Sequence, residues 1–339
     1  MKIFTCPKCE KPVEGFPPKP CACNHEVPVI NNVHQFTEDA PFVAEGDGLK
    51  WLGYEQVSEN YEPGYFHNKE ADTIGSSHNL AAFLGDGKVV LDIGAGLGAS
   101  SISFALAGLN VIAADISQSM LESAATRAKQ HNVPSGQIIF ARMNGYKLAL
   151  ADNSVDAVLE VDMLHQVDQP ELVVAEILRV LKPNGYYLQY GPWTSAPYTK
   201  EQQAANEIYD KALKDIQDYY AKALEETGFT GPSFSTWERV EEIKRQLFTP
   251  HTTLNDTGCY DAKNLVWTLH MGLHKTRTRA SGVKQLIPDE THNAVWAKTD
   301  SYARQKYGDD YENIKRVFND RSGIIVHKTP TPPDTPQSS

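Results

Sequence analysis

Long apolar runs are missing from this chain. Nothing in its 339 residues approaches the ~18 consecutive apolar positions of a membrane span, so no membrane partner is expected. The first residues, Met1-Lys2-Ile3-Phe4-Thr5-Cys6, hold no apolar signal-peptide segment, and the expected location is cytoplasmic. Positive charge is in deficit. With 32 Lys and Arg against 43 Asp and Glu the net charge is −11 at pH 7, which repels a polyanion at long range and argues against nucleic acid as a partner. Cysteine is nearly absent after residue 23, which excludes a disulfide framework for the bulk of the chain. The remainder, 41% hydrophobic and 22% charged residues, is ordinary for a globular protein, and the length allows two or three units.

Four of the five cysteines are crowded into residues 6–23, as Cys6-x2-Cys9 and Cys21-x-Cys23, with His25 close behind. Two knuckles with two thiolates each can close a tetrahedron around a structural zinc. The second knuckle is one residue shorter than C-x2-C, which leaves the fourth ligand open between Cys23 and His25. Residues 26–33 read as strand and turn. Segment 1–36 is expected as a metal-stabilised unit too small for a core of its own.

The stretch Val89-Val90-Leu91-Asp92-Ile93-Gly94-Ala95-Gly96-Leu97-Gly98 is an apolar strand that ends in an acid and three spaced glycines, and a helical stretch follows. Such a strand–turn–helix lets backbone approach a ligand at a helix N-terminus. Gly94, Gly96 and Ala99 formally satisfy the dinucleotide fingerprint, with Asp115 about 20 residues on. Asp92 argues against that ligand, because its carboxylate would stand near a pyrophosphate. It suits a ligand with cationic groups. Asp115, at the end of strand 111–114, can accept hydrogen bonds from a ribose diol.

These residues resemble the class I S-adenosylmethionine-dependent methyltransferases, whose first motif has the form D/E-x-G-x-G-x-G. The resemblance continues through Asp115-Ile116-Ser117-Gln118-Ser119-Met120-Leu121, Leu148-Ala149-Leu150-Ala151-Asp152-Asn153-Ser154-Val155-Asp156 and Glu176-Ile177-Leu178-Arg179-Val180-Leu181-Lys182-Pro183-Asn184-Gly185. It covers roughly residues 85–193. It implies an α/β, Rossmann-like fold with a mostly parallel seven-stranded sheet and helices on both faces. It implies S-adenosylmethionine as cofactor, held by Asp92, Gly94, Gly96, Gly98, Asp115, Ile116, Met120, Asn144, Gly145 and Val161. In the family the loop after the third strand usually carries an Asp that touches the adenine amino group, and Asn144 stands at that position here. The cysteine segment is similar to zinc ribbons at the N-terminus of some methyltransferases.

Outside the motifs the reading is coarser. Residues 37–84 form an aromatic-rich cap (Phe42, Trp51, Tyr54, Tyr61, Tyr65, Phe66), the core spans 85–229, and the last core strand is 321–328. Between them 230–320 reads as a helical substrate lid inserted before that strand, since so long a connection is usually functional. The tail 329–339 reads as disordered. Residues 200–227 give one long helix from the 3–4 spacing of Ala205, Ile208, Ala212, Ile216, Tyr219 and Ala223, closed by Gly228. Residues 263–288 contain Lys263, Lys275, Arg277, Arg279 and Lys284 with no acid, read either as a solvated face or as a contact for an anionic substrate. His165, in the loop after strand 157–161, is a candidate general base. Tyr65, His78, His165 and Trp193 are candidate pocket residues.

The expected activity is methyl transfer by direct displacement to O, N or C of a small, aromatic or apolar acceptor. Two other readings stay open: an RNA methyltransferase that uses the ribbon for RNA contact, and a cofactor-binding or interaction module that does not methylate.

Overall fold

The computed structural model describes residues 2–39, 44–46, 49–51, 77–194, 197–229, 237–254, 265–279, 284, 286–318 and 320–329. Most of the expected cap 37–84, and all of the tail from residue 330, lie outside them.

The N-terminal residues form two hairpins, β1 (Lys2–Thr5) with β2 (Pro12–Glu14) and β3 (Val29–Ile30) with β4 (Val33–Gln35). A separate pair is β5 (Ala44–Gly46) with β6 (Leu49–Trp51). The central strands are β7 (Val89–Ile93), β8 (Asn110–Asp115), β9 (Ile138–Arg142), β10 (Val155–Glu160) and β11 (Leu181–Thr194), all parallel to one another. Beyond β11 lies β15 (Asp320–Lys328), antiparallel to β11 and to the edge strand β12 (Thr249–Leu254). The sheet order is β12-β15-β11-β10-β7-β8-β9-β4-β3. The chain runs outward from β7 in both directions, which opens a crevice at the carboxyl ends of β7 and β10.

Alternation explains the layers. Val89, Leu91 and Ile93 of β7 point into one buried cluster, and Val90 points into another on the opposite face. The first face is covered by α3 (Pro170–Val180), by Val240 and Phe248 of the α5 region (α5 being Trp237–Leu247), and by the N-terminal hairpins. The second is covered by the helix that ends at residue 84, by α1 (Ala99–Leu106) and by α2 (Gln118–Gln130). At the far end of the strands Asp156 fixes the register. It accepts from Val89 N at 3.0 Å, Lys88 Nζ at 3.1 Å and Lys182 Nζ at 2.8 Å. Arg179 does similar work: it bonds Glu176, Asp152 and the carbonyls of Leu148 and Leu150, so much of the fourth motif is fold machinery.

Three expectations need correction. The sheet has nine strands rather than seven, because β4 adds to β9 in parallel and brings β3 with it. Segment 1–36 is not a self-contained unit either. Ile3, Phe4, Cys6, Val13, Cys21, Val27 and Phe36 belong to the same buried cluster as Leu91 and Tyr187, and β1 is bonded to the 149–151 stretch (Thr5 N to Ala149 O 2.9 Å, Ala151 N to Ile3 O 2.7 Å). Burial against an existing core replaces the core that so short a segment lacks.

The boundary at 229/230 also moves. Helix α4 (Lys200–Glu225), expected in the core, packs with α6 (Leu269–Arg277) and α7 (Asp289–Tyr307) around Tyr209, Ala212, Ile216, Leu269, Leu273, Ala303 and Tyr311. Asn206 of α4 grips β14 (Lys315–Phe318), which pairs with β13 (Leu265–Thr268), through both atoms of the Val317 peptide at 2.9 and 2.8 Å. Helix α5 and β12, expected in the insertion, belong to the core. β12 reads Thr-Pro-His-Thr-Thr-Leu, a polar and mostly exposed edge strand with an irregularity between Pro250 and Thr252, so it carries no alternating signal.

Candidate active site

The glycine turn after β7 is held by Gly94 N and Ala95 N, which donate to Ala114 O at 2.8 and 3.0 Å. Gly94, Gly96 and Gly98 all have positive φ (73°, 53° and 78°). Packing demands two of them. A Cβ on Gly94 would meet Met163 Cγ at 2.6 Å, and one on Gly98 would meet Ala124 Cβ at 2.9 Å. A Cβ on Gly96 would have nothing within 4 Å. Space next to a bare backbone turn is where a ligand can approach it.

Asp115 closes this turn. Its Oδ2 accepts from Gly96 N and its Oδ1 from Ser117 N, both at 2.9 Å. Ser117 is the N-cap of α2, with its side chain accepting from Met120 N at 3.2 Å. Met120 is buried against Leu97 and Ala99 and so braces the turn from behind. Asp92 lies beneath the turn, 3% exposed, and accepts from Ser101 Oγ at 2.5 Å. Gly145 lies beside Ile93 and Val173, at about the contact distance a Cβ would make, 3.8 Å.

The loop after β10 is organised by Glu160, whose side chain is 1% exposed. Its Oε1 accepts from Met163 N at 2.7 Å and Leu164 N at 3.0 Å, and its Oε2 accepts from Tyr187 OH at 3.0 Å and pairs with Lys244 Nζ at 2.9 Å. The wrapped loop puts Asp162 at φ 56° and seats Met163 on Gly94. Burial pushes the Glu160 carboxyl up, but the Lys244 ammonium and these donors outweigh it and hold the group below its ordinary value. His165 is half-buried in the same loop. Burial lowers its pKa from the ordinary imidazole value, against the opposing charges of Asp162 and Glu160.

The structure thus brings the glycine turn, Asp115, Ile116, Asn144, Gly145, Val161 and His165 to the carboxyl ends of β7, β8, β9 and β10. His78 is exposed on the helix that ends at residue 84. Tyr65 and the side chain of Trp193 lie outside the described residues. Within the acid-free stretch, Arg277 pairs with Glu312 and Arg279 with Asp289, so two of its charges are matched inside the helical module.

The four cysteines converge. Their sulfurs all lie within 4.8 Å of one another, with Cys6–Cys23 at 3.7 Å and Cys9–Cys21 at 3.5 Å. Sulfurs of a zinc tetrahedron with Zn–S of ~2.3 Å stand about 3.8 Å apart, so the donor set fits that ion. Both knuckles close on a left-handed residue, Glu10 (N to Cys6 O 2.8 Å) and Asn24 (N to Cys21 O 2.8 Å). His25 is outside the group and contributes its carbonyl to Cys21 N at 2.8 Å.

Comparison with known proteins agrees with this geometry. The profile of the methyltransferase domain family matches residues 91–188. The demethylmenaquinone methyltransferase of Tropheryma whipplei is 31% identical over 175 residues, 45% of this chain and 70% of that enzyme. The chain belongs to the class I S-adenosylmethionine-dependent methyltransferases. The demethylmenaquinone methyltransferase of Renibacterium salmoninarum is 41% identical over 99 residues, 29% of this chain but only 39% of that enzyme's length. Among solved structures, the YcgJ protein of Bacillus subtilis shares 18% identity at a TM-score of 0.42, over 76% of this chain and 99% of that one.

In this methyltransferase the sequence reading missed Glu160 and Lys244, which organise the loop after β10. An acid that ends the otherwise apolar strand Val158-Leu159-Glu160 is a signal that could have been read. Lys244 offers none, because only the fold brings it to Glu160.

Proposed function

We propose that this methyltransferase transfers the methyl group of S-adenosylmethionine to a small apolar acceptor of the quinol type. The observation that carries the cofactor half is the space over Gly96, bounded by Asp115 and underlain by Asp92. The acceptor half is supported by the names of the two relatives, both demethylmenaquinone methyltransferases. When bound, the cofactor supplies an electrophilic methyl on a sulfonium. Asp115, whose carboxylate already fixes Gly96 N and Ser117 N beside the turn, would accept from the ribose hydroxyls. Asp92, buried under the turn, would favour the cationic amino acid arm by charge rather than by contact. The bare backbone at Gly96 admits that arm, and Met163 fixes the turn from the acceptor side. His165, in the loop that Glu160 pins, can take a proton from an acceptor hydroxyl as the methyl arrives. Positioning and exclusion of water supply most of the rate. The helical module of α4, α6 and α7 would act as the acceptor lid, and a structural zinc on Cys6, Cys9, Cys21 and Cys23 would hold the N-terminal hairpins.

The test is methyl transfer from labelled S-adenosylmethionine to total cellular RNA, to a polar metabolite extract and to a reduced lipid-quinone extract, side by side. Label is expected in the quinone fraction. Label in one discrete RNA site, with none in the small-molecule fractions, contradicts the acceptor class.

A further inference from the structure

Asn144 is engaged on both sides. Its Oδ1 accepts from Tyr146 N at 2.9 Å, and its Nδ2 donates to Asp39 Oδ2 at 2.8 Å. Asp39 comes from another part of the chain, four residues past β4, and is exposed. Its backbone is fixed independently. Arg142 Nη2 donates to the Asp39 carbonyl at 2.5 Å while Arg142 Nε donates to the Ile116 carbonyl at 3.2 Å. One guanidinium therefore ties Asp39 to the residue that follows Asp115. The approach is set by strand pairing, with Gln35 opposite Arg142 and Phe36 N donating to Arg142 O at 3.1 Å. Among the described residues, Asp39 Oδ1 takes no hydrogen bond.

We propose that Asp39 accepts from the exocyclic amino group of the cofactor's adenine, so that the N-terminal module completes the base pocket and selects a 6-amino over a 6-oxo purine. This rests on the S-adenosylmethionine reading above. A nucleoside with its ribose on Asp115 and its amino acid arm on the turn after β7 sends its base the other way, because base and arm leave opposite sides of the ribose ring. In sheet order that way leads past β8 to β9, whose carboxyl end carries Arg142 and Asn144. The donors of Arg142 and Asn144 are turned onto Asp39 and the Ile116 carbonyl, and the amide oxygen of Asn144 is held by Tyr146. The acceptor with an unused oxygen is Asp39. A carboxylate receives an amino group through a charge-assisted bond and repels the carbonyl oxygen that hypoxanthine places at the same position.

The experiment is calorimetric titration of the full chain with S-adenosylhomocysteine and with S-inosylhomocysteine. The wild type should prefer the 6-amino ligand by about tenfold or more. Asp39→Ala should narrow the preference to within about threefold, chiefly by weakening S-adenosylhomocysteine, with the melting temperature unchanged. Asp39→Asn, which keeps the shape and can donate to a 6-oxo group, should narrow or invert it. A preference that persists in both variants overturns the role of Asp39. Equal binding of the two ligands by the wild type overturns it too and leaves the cofactor reading standing. Binding of neither ligand takes down both.

Discussion

Lys244→Met should destabilise the protein by about 3–5 kcal/mol, because it strips the counter-ion from a carboxylate that has no access to water. Lys244 is 11% exposed in its side chain and Glu160 only 1%, and the pair is the link between α5 and the loop that carries Met163 and His165. Methionine matches the aliphatic stem of lysine, so the loss isolates the charge from the packing. Urea unfolding measures it. The double variant Glu160→Gln/Lys244→Met should recover much of the loss, since no buried charge is then unpaired. The pH dependence follows from the direction of the shift. The Glu160 carboxyl titrates lower in the folded protein than its ordinary value. Its contribution is therefore complete above the ordinary glutamate range and is lost as pH falls through the lower folded value. That acid-side loss should be absent from the double variant. A Lys244→Met protein within about 1 kcal/mol of wild type would mean that the pair does not hold the loop.

The second large effect concerns the cysteines. Protein purified without added metal should contain near one equivalent of zinc, and Cys6→Ser should lose it together with about 10 °C of melting temperature. The loss is large because the hairpins are not an appendage. Releasing them uncovers Phe4, Phe36 and the 149–151 stretch and removes β4 from the sheet edge. Cys23→Ser should behave in the same way and His25→Ala should keep the metal, as the sulfur cluster excludes His25. Elemental analysis and thermal unfolding settle both points. Zinc absent from the native protein, or lost with His25→Ala, would contradict this ligand set.

What the sequence carried and what it did not divide along physical lines. The turn at Asp92–Gly98 and the acid at Asp115 are local patterns, and they assemble where the pattern puts them. So does the long helix, read as 200–227 and found as Lys200–Glu225, because its apolar spacing is regular and Gly228 takes a left-handed φ of 79°. The cap of α2 is Ser117, inside the second motif, while Glu122 is bonded to Asn31 and Gln118. β12 was invisible because an exposed edge strand needs no alternating face. Residues 26–33 were legible as strand and turn, but nothing in them says that the hairpin of β3 and β4 joins β9. Contacts such as Glu160 with Lys244 and Asp39 with Asn144 join residues 84 and 105 positions apart, and no spacing rule reaches that far.

The account stands or falls on the ligand over Gly96. Calorimetry should show S-adenosylhomocysteine binding to the wild type. Asp115→Ala should weaken it by about 1.5–3 kcal/mol, through loss of a charged acceptor for the ribose diol. Gly96→Ala should weaken it too, by filling the space where the ligand meets the turn. Unchanged affinity in Asp115→Ala, or tight binding of NAD by the wild type, would contradict the assignment of this turn to S-adenosylmethionine.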